Sequence, residues 1–296
     1  MSEAPSHSKA FNDPAAEPAF GARKPAWPAR LILALTRHTP LGRGAARKAL
    51  GEMLRKKSSS PLDVTLWGRN ARLHLTSNYS EMKALLNPSA YSKPDFDFIR
   101  RRLPADGVFL DIGANAGMFS LFAASRLRPG GRLICVEPQP AIFQRLKFNM
   151  MRANDLLSEG IGVTLVPAAL GSENGEADLT IPDEHGQATL RSGLGGQTVK
   201  VPVMPLSDLL LREGVARVDV MKIDVEGYED EVLEAFFRSG QRSLWPRAVL
   251  MEHCNRDRWR WDCEGELTRL GYETVYRDRA NVFMARPESA PGASEG

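Results

Sequence analysis

From Val108 onward, short apolar runs alternate with amphipathic stretches, and this rhythm constrains the fold more than any other property of the chain. Val108-Phe-Leu-Asp-Ile112 reads as a buried strand, and Met118 to Arg126 follows it with helical spacing. Leu133 to Glu137 repeats the pattern as a strand, and Pro140 to Met151 follows as a helix with proline in its first turn, where no N–H is needed. Val163 to Val166, Val218 to Ile223 and Ala248 to Glu252 read as further strands, with Glu229 to Phe237 as a helix. Strands buried on both faces appear as unbroken apolar runs, and helical crossovers between them force parallel pairing. The fold class is α/β, with helices on both faces of the sheet. Tyr272 to Tyr276 and Asn281 to Ala285 lie close enough to pair as an antiparallel hairpin. The Gly-rich stretch between Gly171 and Pro205 reads as a β-hairpin inserted over the sheet.

With 43% apolar and 25% charged residues, the 296-residue chain has ordinary globular composition, which excludes whole-chain disorder. Its three cysteines form no CxxC pair, which excludes a disulfide scaffold and a cysteine zinc site. The apolar run Leu31 to Leu35 is far shorter than the about 18 residues that span a bilayer, and Met1 to Ala22 has no apolar core of a signal peptide. The expected location is cytoplasmic. Four regions are expected: a disordered N-terminus (1–22), a basic extension (23–84), the α/β catalytic domain (85–286) and a disordered tail (287–296).

The net charge of +3 conceals an asymmetry. Residues 23–57 hold ten basic side chains and one acid, Glu52, so this segment carries +9 and the rest of the chain −6. Helical spacing puts Ala46, Ala49, Leu50, Met53 and Leu54 on one face and Arg43, Arg47, Lys48 and Arg55 on the other. Two readings stand: peripheral docking on an anionic membrane or acidic partner, or a cap helix packed on its own domain. The aromatics are not interleaved with the charges, so nucleic acid is not an expected partner.

The strand at Val108 ends in Asp111-Ile-Gly113-Ala-Asn115-Ala-Gly117 and runs straight into a helix. Small residues let the backbone approach a ligand, and the helix N-terminus offers free N–H groups. In doubly wound sheets this crevice at the carboxyl ends of the strands holds ligands. Gly113-x-x-x-Gly117 is not the dinucleotide spacing, and Asp111 at the strand end would repel a pyrophosphate. Glu137 closes the next strand, where a carboxylate accepts ribose hydroxyls. A cationic nucleoside fits both features, and S-adenosylmethionine is such a molecule. A nicotinamide oxidoreductase on the same sheet is the competing reading, and a non-catalytic membrane-surface protein is a further one.

On Val108 to Ser120, Val136-Glu137-Pro138 and Met221-Lys222-Ile-Asp224-Val-Glu226-Gly227-Tyr-Glu229, the sequence resembles the FkbM family of S-adenosylmethionine-dependent methyltransferases, over roughly residues 85 to 285. The resemblance implies a class I methyltransferase fold, Rossmann-like, with seven strands of which the last runs antiparallel. It also implies O-methylation of a hydroxyl on a sugar, glycolipid or other lipid-linked molecule, or natural product. Carried over by position, Asp111, Gly113, Asn115 and Gly117 hold the methionine part, Glu137 the ribose, and the loop of Ala169 lies beside the adenine. Asp224 and Glu226 then face the methyl group and the acceptor. Two features depart from the family: Met204-Pro-Leu-Ser207-Asp208-Leu stands where a Leu-Asp pair is common, and the basic N-terminal segment has no equivalent.

Methyl transfer from a sulfonium is an in-line displacement, so an alcohol acceptor must be aligned and must lose a proton to a nearby base. The candidates are Asp224, Glu226, Glu252 and His253. Lys222 shares strand parity with Asp224. Glu226 is open to a second reading as a cap of the helix before Glu229, and His253 to a structural one. A divalent cation on Asp224, Glu226 and Glu252 is a further alternative, though no metal is required. Trp259-Arg-Trp261 reads as an acceptor platform or as cover for the sheet edge, and Arg191 as a contact for an acidic substrate group or as solvated surface.

Overall fold

In a computed structural model, residues 17–57, 60–75, 79–181, 190 and 197–287 are described. The N-terminal part comprises α1 (Trp27–His38), α2 (Gly44–Lys57), the antiparallel pair β1 (Leu62–Leu66) and β2 (Arg69–Leu73), α3 (Tyr79–Leu86) and α4 (Lys93–Arg102). Then β3 (Val108–Ile112), α5 (Met118–Ala124), β4 (Arg132–Val136), α6 (Pro140–Lys147) and β5 (Gly162–Val166) form the first βαβαβ half. A small three-stranded sheet follows, made of β6 (Ala169–Leu170), β7 (Gly175–Ile181) and β8 (Gln197–Met204), before α7 (Leu206–Arg212). The second half runs through β9 (Val220–Ile223), α8 (Glu229–Arg238), β10 (Ala248–Glu252), α9 (Cys263–Arg269), β11 (Glu273–Arg277) and β12 (Asn281–Ala285).

The main sheet has seven strands in the order β11-β12-β10-β9-β3-β4-β5. β3, β4, β5, β9 and β10 are mutually parallel, and β12 runs antiparallel to both β10 and β11. This is the seven-stranded sheet with an antiparallel last strand that the family resemblance implied, and the terminal hairpin and the inserted hairpin β7–β8 are present. Arg191 of the insert lies outside the described residues. The central strands are buried because helices cover both faces: Phe109, Leu133 and Leu250 pack in one apolar cluster, while Leu110, Ile134 and Val249 pack in the other.

Sequence and structure differ in three places. The helix expected over Pro140 to Met151 tightens to α only as far as Lys147, and Phe148–Arg152 forms a wider turn. Its cause is the buried Asn149, whose Oδ1 accepts from Arg72 N at 2.7 Å and whose Nδ2 donates to Ala116 O at 2.9 Å, so that it ties β2 to the glycine loop. Disorder through residue 22 is corrected from Glu17 onward. The Arg72 guanidinium grips the buried Asp63 carboxylate through two bonds (2.7 and 2.9 Å), and the pair anchors Pro18, Ala19, Gly21 and Arg23 through their backbone atoms. The basic segment also shares the main core: Ala29, Ile32, Leu33 and Leu54 are buried in one cluster with Phe109 and Leu121. On α2, Gly51 and Leu54 face inward while Ala49 and Met53 face solvent, so the buried arc is rotated from the one that spacing suggested.

Candidate active site

β3 and β9 pair in parallel, with Asp111 directly beside Lys222. Both are buried polar residues in otherwise apolar strands, and they meet for a reason: Lys222 Nζ lies 3.5 Å from Asp111 and 3.6 Å from Asp224. It also donates to Gly113 O at 2.6 Å and Ile112 O at 3.2 Å. Burial penalises the ammonium, but the charges of Asp224 and Asp111 outweigh that cost and hold its pKa above the ordinary value. One lysine thus joins the ends of two strands.

Beyond β3, Gly113 and Ala114 both donate to Val136 O, at 3.0 and 2.9 Å, which folds the loop over β4. Gly113 has φ +72°, and a Cβ there would lie 1.9 Å from Asp224 O. No side chain is compatible with that approach. Asn115, at φ +52°, donates its N–H to Glu137 Oε2 at 2.9 Å, and Gln139 N donates to Glu137 Oε1 at 2.9 Å. Burial pushes the Glu137 carboxyl up to about 7, opposed by those two N–H groups. Each oxygen retains a lone-pair position toward the cavity.

These loops border a cavity lined by Gly113, Asn115, Glu137, Ala169, Lys222, Asp224 and Glu226, among others. Its apolar wall comes from Phe119, Ile142, Leu179, Leu190 and Tyr228, and its far side from Ser80 and Tyr91 of the N-terminal region. Three carboxyl groups face one ammonium. Two wall atoms, Asp224 Oδ1 and Gln139 Oε1, are buried and accept no hydrogen bond from the protein. Such a wall offers hydrogen-bond acceptors, and its ammonium is already engaged by Asp111 and Asp224, so it suits a ligand with hydroxyl, amino and cationic groups and the residues fit S-adenosylmethionine.

The expected site residues divide sharply. Gly113, Asn115, Glu137, Ala169, Asp224 and Glu226 line the cavity. Asp111 does not: it is fully buried behind the loop, where Ser120 Oγ donates to it at 2.6 Å, so its contact with the methionine part is corrected to positioning Lys222. Gly117 is also behind the wall; a Cβ there would meet Leu146 and Met150, so its smallness serves helix packing. Glu252 is placed just outside the wall, its carboxylate within 4.8 Å of those of Asp224 and Glu229.

His253, a candidate base, does not line the cavity. Its Nδ1 is 2.9 Å from Glu264 Oε1 and its Nε2 3.0 Å from Asp278 O, so both ring nitrogens are engaged. The physical reason is strand alternation: successive side chains of β10 point to opposite faces, and Glu252 takes the inner one. His253→Ala is expected to lower Tm by a few degrees, corresponding to about 1–2 kcal/mol for a lost buried hydrogen-bond partner, with kcat per folded enzyme within twofold of wild type. A hundredfold fall in kcat with an unchanged melting curve would restore its catalytic role.

Glu229, the first residue of α8, braces the turn before the helix: its Oε1 accepts from Val225 N at 2.9 Å and Gly227 N at 3.2 Å, and its Oε2 from Trp259 Nε1 at 3.1 Å. Trp259 is therefore tied to the turn beneath the site and does not line the cavity. Glu229, Ser80, Tyr91 and Phe119 were missed from sequence. An acid in the first helical turn after a glycine was the available signal for Glu229; the other three come together only through long-range packing.

Burial, followed by the charge of Asp224, raises the carboxyl of Glu226 to about 8 and that of Glu252 to about 9. The folded protein therefore holds protons there that the unfolded chain releases above its ordinary value near 4.5. Stability falls as pH rises through that window, because the native state binds more protons. We expect a lower Tm at pH 8.5 than at 5.5, with the drop reduced by on the order of 1 kcal/mol per group in Glu226→Gln/Glu252→Gln. Melting curves at both pH values check this; an equal drop in the double variant contradicts it.

The profile of the methyltransferase FkbM domain matches residues 111–273. Methyltransferase sdnD of Sordaria araneosa is 30% identical over 209 residues, covering 60% of this chain and 78% of that protein. The 31-O-demethyl-FK506 methyltransferase FkbM of Streptomyces tacrolimicus is 29% identical over 175 residues, 49% of this chain and 63% of its own. A crystal structure of a methyltransferase FkbM from Methylobacillus flagellatus overlays with a TM-score of 0.40 at 14% identity, covering 71% of this chain and 55% of that one. The profile spans more than half of the sequence, including the glycine loop, Glu137 and the Lys222–Glu229 run, and the chain belongs to the FkbM family of S-adenosylmethionine-dependent methyltransferases.

Proposed function

We propose that the protein methylates a hydroxyl group of a small-molecule acceptor, of the sugar, lipid-linked or natural-product class. The observation that carries this reading is Asp224: its Oδ2 is 3.6 Å from Lys222 Nζ while its Oδ1 is buried in the cavity wall without a donor. A hydroxyl that reaches this oxygen finds a proton acceptor already in place. Glu226 and Glu252 are raised to about 8 and 9, so both keep their protons near neutrality and are poor proton acceptors there.

S-adenosylmethionine supplies an electrophilic methyl group on a sulfonium. Glu137 would accept hydrogen bonds from the ribose hydroxyls, and Ala169 and Leu170, which line the same cavity, would pack beside the base. Lys222 fixes the Gly113 carbonyl and Asp224 relative to one another, so the proton acceptor and the cofactor loop move as one unit. Phe119, Tyr91 and Tyr228 exclude water from the acceptor side, which favours a step that neutralises charge. The name of the Streptomyces relative, which refers to a 31-O-demethyl substrate, supports the choice of oxygen.

The test is incubation with methyl-labelled S-adenosylmethionine and a panel of polyhydroxylated acceptors, followed by alkaline treatment. Label in an alkali-stable ether is expected. Label confined to an alkali-labile ester, or to amine acceptors, would overturn O-methylation of a hydroxyl.

A further inference from the structure

α1 is apolar on both sides. Its inner face buries Ala29, Ile32, Leu33 and Thr36 in the core. On its outer face Trp27 is 74% exposed and Leu31 53% exposed, with Ala34 also in solvent one turn on and Leu41, 44% exposed, in the turn that follows. Spacings of four and then three residues align Trp27, Leu31 and Ala34 as one stripe. A row of large apolar side chains left in water on an otherwise packed helix marks an interaction surface.

Its surroundings specify the occupant. The segment 23–57 carries +9 while the rest of the chain carries −6. Lys24 just before α1, Arg30 on α1, Arg43 in the connecting turn, and Lys48, Lys56 and Lys57 on α2 are all exposed. The segment's one acid, Glu52, is paired with Arg55 and leaves the positive field nearly undiluted. We propose that this face docks on an anionic membrane, with Trp27 and Leu31 entering the headgroup boundary and the flanking lysines and arginines lying over the acidic lipids. A tryptophan at the head of an amphipathic stripe with basic flanks matches an interfacial anchor, and the opposite charge of the remaining surface turns the rest of the molecule away from the bilayer. α1 packs on α3, and α3 carries Ser80 into the cavity wall, so docking would set the acceptor side of the cavity near the membrane.

The test is flotation of the full chain with vesicles of about 40% phosphatidylglycerol in phosphatidylcholine, and with phosphatidylcholine alone, at roughly 0.1 M salt. Most of the protein is expected to float with the anionic vesicles and almost none with the neutral ones. Trp27→Ser/Leu31→Ser, whose positions are exposed, should lower the bound fraction at least about fivefold at an unchanged Tm. Lys56→Glu/Lys57→Glu should lower it as well. Failure of the wild type to float, or flotation of both double variants equal to that of the wild type, overturns the proposal. Flotation of either double variant counts against the proposal only where it equals that of the wild type, and a wild-type dimer that Trp27→Ser/Leu31→Ser converts to a monomer in light scattering overturns it too, since the stripe would then belong to a second copy of the chain.

Discussion

Gly113→Ala is expected to abolish measurable S-adenosylmethionine binding and to lower Tm by roughly 5–10 °C. The added Cβ would lie 1.9 Å from Asp224 O, a backbone atom that cannot rotate away, because Asp224 N is bonded to Ile112 O at 3.1 Å in the parallel ladder. Relief requires β3 and β9 to part at the point where Lys222 joins them. The left-handed conformation costs a non-glycine residue about 1–2 kcal/mol, and overpacking adds about 1–3 kcal/mol; each kcal/mol moves Tm by roughly 2–4 °C in a chain of this size. Gly117→Ala is the matched control. It shares a positive φ, but its Cβ meets only the side-chain ends of Leu146 and Met150, which can shift. Its loss should be the smaller one, with binding retained. Calorimetry and melting curves on both variants decide the matter, and equal effects would mean that the close approach at Gly113 is not what shapes the loop.

Asp224→Asn is expected to lower kcat by about 10²–10⁴, the range for removal of a general base, while S-adenosylmethionine affinity stays within about tenfold. The amide keeps the shape of the side chain and loses the proton acceptor. Glu226→Gln at pH 7 should leave kcat within about threefold, since a carboxyl raised to about 8 is already protonated and the amide imitates it. Single-turnover rates with saturating cofactor separate the two. If Glu226→Gln proves the more damaging, the two acids exchange roles.

Much of this site was readable from local patterns. The strand–glycine loop–helix unit and the strand ending in Glu137 are short-range features, and burial on both faces wrote the strands as apolar runs. What escaped depended on which face a side chain takes or on contacts distant in the chain. Asp111 looked like a ligand contact because it closes a strand, yet the cross-strand pairing with Lys222 and the bond from Ser120 enclose it. His253 looked like a base because it follows Glu252, yet its partners Glu264 and Asp278 come from α9 and the turn before β12. Ser80 reaches the cavity from a region that sequence alone set apart as an extension, and Tyr91 from just beyond it.

The account stands most directly on S-adenosylmethionine occupying the cavity between Gly113 and Glu137. Calorimetric titration of the wild type and of Glu137→Gln, each first checked by its melting curve, tests this. The prediction is micromolar binding to the wild type and at least about thirtyfold weaker binding to the variant, because the amide cannot accept from both ribose hydroxyls and both backbone N–H groups. Equal affinity in the two folded proteins, or no binding to the wild type, would contradict it.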